Sequence, residues 1–114
     1  MVVEDEEEIL RFVRLLLTSE GYEVVTARAG SEALAKAMSK PPDLLITDLM
    51  LPDFDGGELC RRYRDESHSA APVVLMTGAP HDERVVAAAP DSVLPKPFEI
   101  ETLLEIAARL VPES

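Results

Sequence analysis

The chain has 114 residues and carries 11 Lys plus Arg against 22 Asp plus Glu, a formal net charge of −11. That length supports one compact domain, 1–114, and an apolar content of 46% is enough for a real core, which excludes disorder. The negative charge, the lack of Trp and only five aromatic residues exclude nucleic acid as a direct ligand and exclude anionic membrane surfaces, which recruit Lys, Arg and stacking platforms.

In chain order, Val2-Val3 is a stub of strand ending in Glu4-Asp5. Ile9, Phe12, Val13, Leu16 and Leu17 then follow the spacing of one buried helix face. Gly21 suits a left-handed cap closing that helix. Tyr22 to Thr26 reads as a second strand, and Ser31 as the N-cap of a helix from Glu32 to Lys40 that Pro41-Pro42 ends. Asp43 to Asp48 is a third strand, and a turn-rich loop from Leu51 to Gly57 leads into a helix from about Glu58 to Glu66. Pro72 to Thr77 is a fourth strand, followed by a short helix from His81 to Ala89. A weak fifth strand spans Ser92 to Leu94, and a last helix runs from Phe98 to about Leu110.

Strands alternating with helices imply a parallel sheet, because parallel neighbours need crossover connections. The runs Leu44-Leu45-Ile46 and Val73-Val74-Leu75-Met76 are apolar on consecutive residues, as strands covered on both faces are. The expected architecture is therefore α/β, a doubly wound five-stranded parallel sheet with helices on both faces. Ligands of such sheets bind outside the carboxyl ends of the strands. The single Cys60 allows no internal disulfide, no apolar run approaches the ~18 residues that cross a bilayer, and the acidic start does not read as a signal peptide. Together these give a soluble cytoplasmic domain as the expectation.

Four of the five strands deliver a polar group to that one edge: Glu4 and Asp5, Asp48, Thr77, and Lys96 just past the fifth. Taken singly, Glu4 and Asp5 also suit a helix N-terminus, Thr77 also suits the cap of a loop, and Lys96 also suits a solvated surface. Asp48 is harder to dismiss, because a carboxylate finishing a central apolar strand is costly unless compensated. Two carboxylates about 4 Å apart repel by roughly 4 kcal/mol at an effective dielectric near 20. Three of them oppose a fold whose whole stability is about 5–15 kcal/mol. Lys96 supplies one compensating charge, and a hard divalent ion such as Mg²⁺ supplies two more. An Asp beside such an ion and a Lys can act as a nucleophile toward a phosphoryl group.

The segments VVED (Val2 to Asp5), LLITDLMLPDFDG (Leu44 to Gly56), VVLMTG (Val73 to Gly78) and LPKPF (Leu94 to Phe98), in this order and spacing, resemble the response-regulator receiver domain of two-component signalling. The resemblance covers essentially the whole chain. It implies a flavodoxin-like (βα)5 fold with strand order 2-1-3-4-5. It also implies that Asp48 is the phosphoacceptor, taking its phosphoryl group from the phosphohistidine of a sensor histidine kinase or phosphotransfer protein. Thr77 and Lys96 would contact the phosphoryl oxygens. Asp5, Asp48 and the main-chain carbonyl of Met50 would bind Mg²⁺ directly, with Glu4 acting through water, and the Lys96-Pro97 bond would be cis.

Val93 stands where receiver domains commonly carry Tyr or Phe, so the aromatic switch is absent. The segment Ala87-Ala88-Ala89-Pro90 lacks the glycine usual before the fifth strand. These departures leave room for a pseudo-receiver, a binding module that is not phosphorylated. A haloacid-dehalogenase-like phosphatase is disfavoured because Met50 stands where that family places a second Asp. In the last helix, Ile100, Leu103, Leu104, Ala107 and Val111 form a core stripe. Ile106 and Leu110 widen the apolar arc to about half the circumference, where roughly a third covers a sheet face. That excess suggests an output partner or a second copy docking on the face made by the fourth helix, fifth strand and fifth helix. Cys60 is expected to pack with Leu59 and Tyr63, and His68 and His81 to lie at the surface.

Overall fold

The computed structural model describes residues 1–111. Its elements are β1 (Val2–Val3), α1 (Glu7–Ser19), β2 (Thr26–Ala27), α2 (Gly30–Ser39), β3 (Leu45–Asp48), α3 (Gly56–Ser67), β4 (Val73–Thr77), α4 (Glu83–Ala88), β5 (Ser92–Pro95) and α5 (Ile100–Leu110). The strands form one parallel sheet in the order β2-β1-β3-β4-β5, as the resemblance implied. Strand side chains alternate between faces, and the core divides accordingly. Val2, Ile46, Val74, Met76 and Leu94 meet α1 and α5 on one face. Val3, Leu45 and Val73 meet α2 and α3 on the other, where Cys60, Leu59 and Tyr63 pack together. Leu49, Leu75 and Val85 extend that second layer under α4.

Several boundaries differ from the sequence reading. β2 is two residues long and lies at the far end of Tyr22 to Thr26, because it pairs only with the two residues of β1. Val25 is 39% exposed at this sheet edge. Ser31 is not the N-cap of α2. The helix starts at Gly30, and Asp53 from another loop takes its first free N–H groups. α3 begins at Gly56, two residues early, because Asp55 caps it by accepting the Glu58 N–H at 2.9 Å. α4 is confined to Glu83–Ala88 by the Asp82 cap and a left-handed Ala89. Lys96-Pro97 is cis, and Gly21 has φ +92° at the end of α1.

Two helix faces also require correction. α1 buries Leu10, Val13 and Leu17, while Phe12 is 45% exposed, so the buried stripe is turned by part of a turn from the expected one. On α5, Ile106 is buried in the core with Leu103 and Ala107, whereas Ile100 is 41% exposed. The wide apolar arc of α5 is thus consumed by a contact with both the sheet and α1. Ile106 is not available to a partner.

Candidate functional site

The register of the sheet determines which side chains meet. Val3 pairs with Thr47, so the next residues, Glu4 and Asp48, leave the sheet at one level. Glu4, Asp48 and Lys96 each lie two residues beyond a member of the same core face, Val2, Ile46 and Leu94. Alternation by two therefore turns all three side chains to one side at the carboxyl edge. Lys96 Nζ donates to Glu4 Oε2 at 2.8 Å and lies 3.2 Å from Asp48 Oδ1. Carboxylate oxygens of Glu4, Asp5 and Asp48 all lie within 4.8 Å of one another. The sheet thus brings together four of the six residues singled out from the sequence.

Burial sets the energetics of this mouth. Glu4 is fully buried, Asp48 is 7% exposed and Thr77 is 4% exposed. Burial pushes the Glu4 carboxyl above its ordinary range, the Lys96 hydrogen bond opposes this, and the Asp48 charge pushes it further up. For Lys96, burial alone would favour the neutral amine. The hydrogen bond from Lys96 to Glu4 and the charges of Asp48 and Glu4 outweigh it, and the ammonium is held above its usual range. Lys96 thus meets two of the three acids, and the remaining negative charge lies among hard oxygen donors, the set that suits Mg²⁺.

Thr77 and Met50 have other hydrogen-bond partners in this structure. Thr77 belongs to the opposite parity of β4, and its hydroxyl accepts the Ala79 N–H at 2.9 Å. The Met50 side chain is 60% exposed, with Sδ 3.6 Å from Arg84 Nη1. Its loop folds back tightly: Gly56 N–H donates to the Leu49 carbonyl at 2.7 Å, and a Cβ on Gly56 would lie 2.2 Å from the Asp48 carbonyl oxygen. Glycine is required there by close approach. The Thr47 hydroxyl donates to the same carbonyl at 3.0 Å.

Sequence reading missed Asp53, Asp55 and Thr47, which shape the loop around Asp48 without reaching the acids. The Asp-x-Asp-Gly run before a helix signals the Asp55 cap, whereas nothing local signals the 23-residue reach of Asp53 to Gly30. His68 and His81 are exposed, as expected. Among the described residues, Glu4, Asp5 and Asp48 form the one group of three potential metal-ligating side chains, and no helix is long and apolar enough to cross a membrane.

Comparison with known proteins identifies the family and the fold. The family model for the response regulator receiver domain matches residues 1–108. The response regulator ArlR of Staphylococcus epidermidis is 41% identical over 107 residues, covering 91% of this chain and 48% of that protein. ArlR of Staphylococcus aureus is 40% identical over the same length. The chain thus spans about half the length of the curated relatives it matches. Among solved structures, the chemotaxis response regulator CheY4 of Vibrio cholerae superimposes with a TM-score of 0.88 at 33% identity, covering 96% of this chain and 94% of that one. The receiver domain of NtrX from Brucella abortus gives 0.87 at 31% identity, covering 99% and 98%.

Proposed function

The chain belongs to the response regulator receiver domain family of two-component signalling, and from that premise we propose that Asp48 accepts a phosphoryl group from the phosphohistidine of a sensor histidine kinase or phosphotransfer protein. The observation that carries this reading is the contact of Lys96 with both Glu4 and Asp48, beside an Asp5 carboxylate that no second Lys balances. Asp5, Asp48 and the Met50 carbonyl would hold Mg²⁺, with Glu4 reaching it through water. When bound, the ion supplies two positive charges beside the phosphoryl oxygens.

The chain's own groups do the rest. An Asp48 carboxylate oxygen forms the new P–O bond as the P–N bond to the donor imidazole breaks, and the imidazole leaves with the electron pair. Lys96 exchanges its contact with Asp48 for one with a phosphoryl oxygen, and the Thr77 hydroxyl donates to another. Residues 1–114 act as one receiver domain in the cytoplasm, with a buried, unpaired Cys60 consistent with a reducing compartment. Output passes to a partner or a second copy through α4, β5 and α5, where Val86 and Ile100 rather than Ile106 remain exposed, without an aromatic switch. Val93 is only partly buried, against Leu49, Leu75 and Val85, so Thr77 and backbone shifts carry the signal.

Incubation with Mg²⁺ and acetyl phosphate, followed by intact-mass measurement, tests this. The wild-type chain gains one acid-labile phosphoryl group and Asp48→Asn gains none. An unlabelled wild-type chain would contradict the reading and favour a pseudo-receiver, and sustained release of phosphate from phosphate esters would favour a phosphatase.

A further inference from the structure

The segment that runs from the end of β2 into the first turn of α2, residues 28–31, touches both of the chain segments that bring proposed metal ligands to the mouth. At its start, Arg28 donates Nη2 to the main-chain carbonyl of Asp5 at 2.9 Å. At its end, the N–H groups of Gly30 and Ser31 donate to Oδ1 and Oδ2 of Asp53, each at 2.8 Å. Asp53 lies three residues past Met50 in the loop after β3, and it also takes the Phe54 N–H at 2.9 Å. Packing closes the same joint. A Cβ on Gly30 would fall 2.5 Å from the Phe54 ring, and the Arg62 guanidinium stacks on that ring 4.4 Å from its centroid. A helix leaves its first N–H groups without internal partners, and here an acid of the Met50 loop satisfies two of them. Desolvation pushes the Asp53 carboxyl up, but the N–H donors of Ser31, Phe54 and Gly30 outweigh it and keep the group ionised.

We propose that the β2–α2 segment is a bracket that fixes the separation between Asp5 and the Met50 carbonyl, making Arg28 and Asp53 positioning residues for the divalent cation. The inference rests on the Mg²⁺ reading above. Mg²⁺ demands near-octahedral geometry with short oxygen distances, so ligands from two loops must be held in place by something other than the ion. Neither Arg28 nor Asp53 is a ligand. Arg28 gives the idea a distinctive sign. As a mere positive charge near the site it would oppose Mg²⁺, and its removal would tighten binding. As half of the bracket, its removal weakens binding.

The chain has no Trp, so the readout is calorimetric titration with MgCl₂ of the wild type, Asp53→Ala, Asp53→Asn and Arg28→Ala, each checked for native circular dichroism. Asp53→Ala raises the Kd about tenfold, the scale seen when outer-shell partners of metal sites are lost. Asp53→Asn, which keeps one acceptor oxygen, raises it less, and Arg28→Ala also raises it. All reach the wild-type rate of phosphoryl acceptance from acetyl phosphate at saturating Mg²⁺. A purely structural role would lower melting temperature and the number of competent chains, leaving Kd unchanged. An unchanged Kd in both Asp53 variants, or an unchanged or tighter Kd in Arg28→Ala, overturns the bracket alone. If Asp53→Ala does not fold, Asp53→Asn and Arg28→Ala decide the matter. A wild-type chain that binds no Mg²⁺ overturns the bracket and the proposed metal site together.

Discussion

The two ends of the sheet invite opposite uses of space. At the amino edge, Leu17, Tyr22, Val24, Leu44, Ile46 and Ala107 line much of a partly enclosed hollow of about 210 Å³. At the carboxyl edge, beside a more open hollow lined by Ile9, Phe12, Lys96, Pro97 and Phe98, three acids and a lysine converge within hydrogen-bonding and metal-ligating distances. The more enclosed hollow is rimmed by Met1, Glu23, Lys40 and Asp43, whereas the three clustered acids and Lys96 sit at a mouth built by register. A phosphoryl group and a hydrated ion need charge at fixed positions more than they need apolar enclosure. On the proposed reading, register at the strand ends rather than enclosure positions the chemistry.

Substitutions at the two ends should separate stability from chemistry. Leu17→Ala at the amino edge costs about 2–5 kcal/mol in urea unfolding, because a buried side chain is removed beside an existing void. It leaves phosphoryl acceptance per folded molecule unchanged. Gly56→Ala at the carboxyl edge costs about 1–3 kcal/mol by forcing a Cβ against the Asp48 carbonyl. It also slows acceptance from acetyl phosphate. If Leu17→Ala impaired acceptance as much as Gly56→Ala, the two ends would not be separable.

A pH series sharpens the contrast through Glu4. Its folded-state pKa is raised above the ordinary 4.5, so above that pH the fold retains a proton that the unfolded chain has released. Stability attached to Glu4 therefore falls as pH rises through the raised pKa. In metal-free buffer, urea midpoints of Glu4→Gln should gain on wild type as pH rises from 4.5. A difference that stays constant with pH, or moves in favour of wild type, would contradict a strained acid at the mouth. The smallest effect lies in the connection from α4 to β5. Ala89 occupies the left-handed region at φ +47°, where a side chain costs energy, so Ala89→Gly should stabilise by about 1 kcal/mol in the same assay.

Much of this was legible in the sequence because it depends on repeating patterns. Consecutive apolar strand residues and alternating helices were sufficient for the parallel sheet, and the polar residues after the strands were sufficient for the mouth. What stayed hidden depends on partners distant in the chain. The length of β2 is set by the shortness of β1, and the cap of α2 comes from Asp53 rather than the adjacent Ser31. The burial of Ile106 reflects a second neighbour, α1, that helical periodicity alone does not count. Glu4 was placed near the site but its direct pairing with Lys96 was not foreseen, since alternation aligns the two only when the strand register is known. The missing glycine before the fifth strand was visible as a departure, and its consequence is the left-handed Ala89.

The claim on which the site depends is that Glu4, Asp5 and Asp48 share a compensation deficit that Lys96 only partly fills. Thermal melts of wild type and Asp48→Asn across a MgCl₂ series measure this directly. At 100 times Kd the ion should stabilise wild type by about 2.7 kcal/mol, a rise of about 10 °C for a domain of this size. Asp48→Asn should melt higher than wild type without Mg²⁺ and respond less than half as strongly to it. A wild-type melting temperature that ignores Mg²⁺, or an equal rise in the variant, would contradict the account.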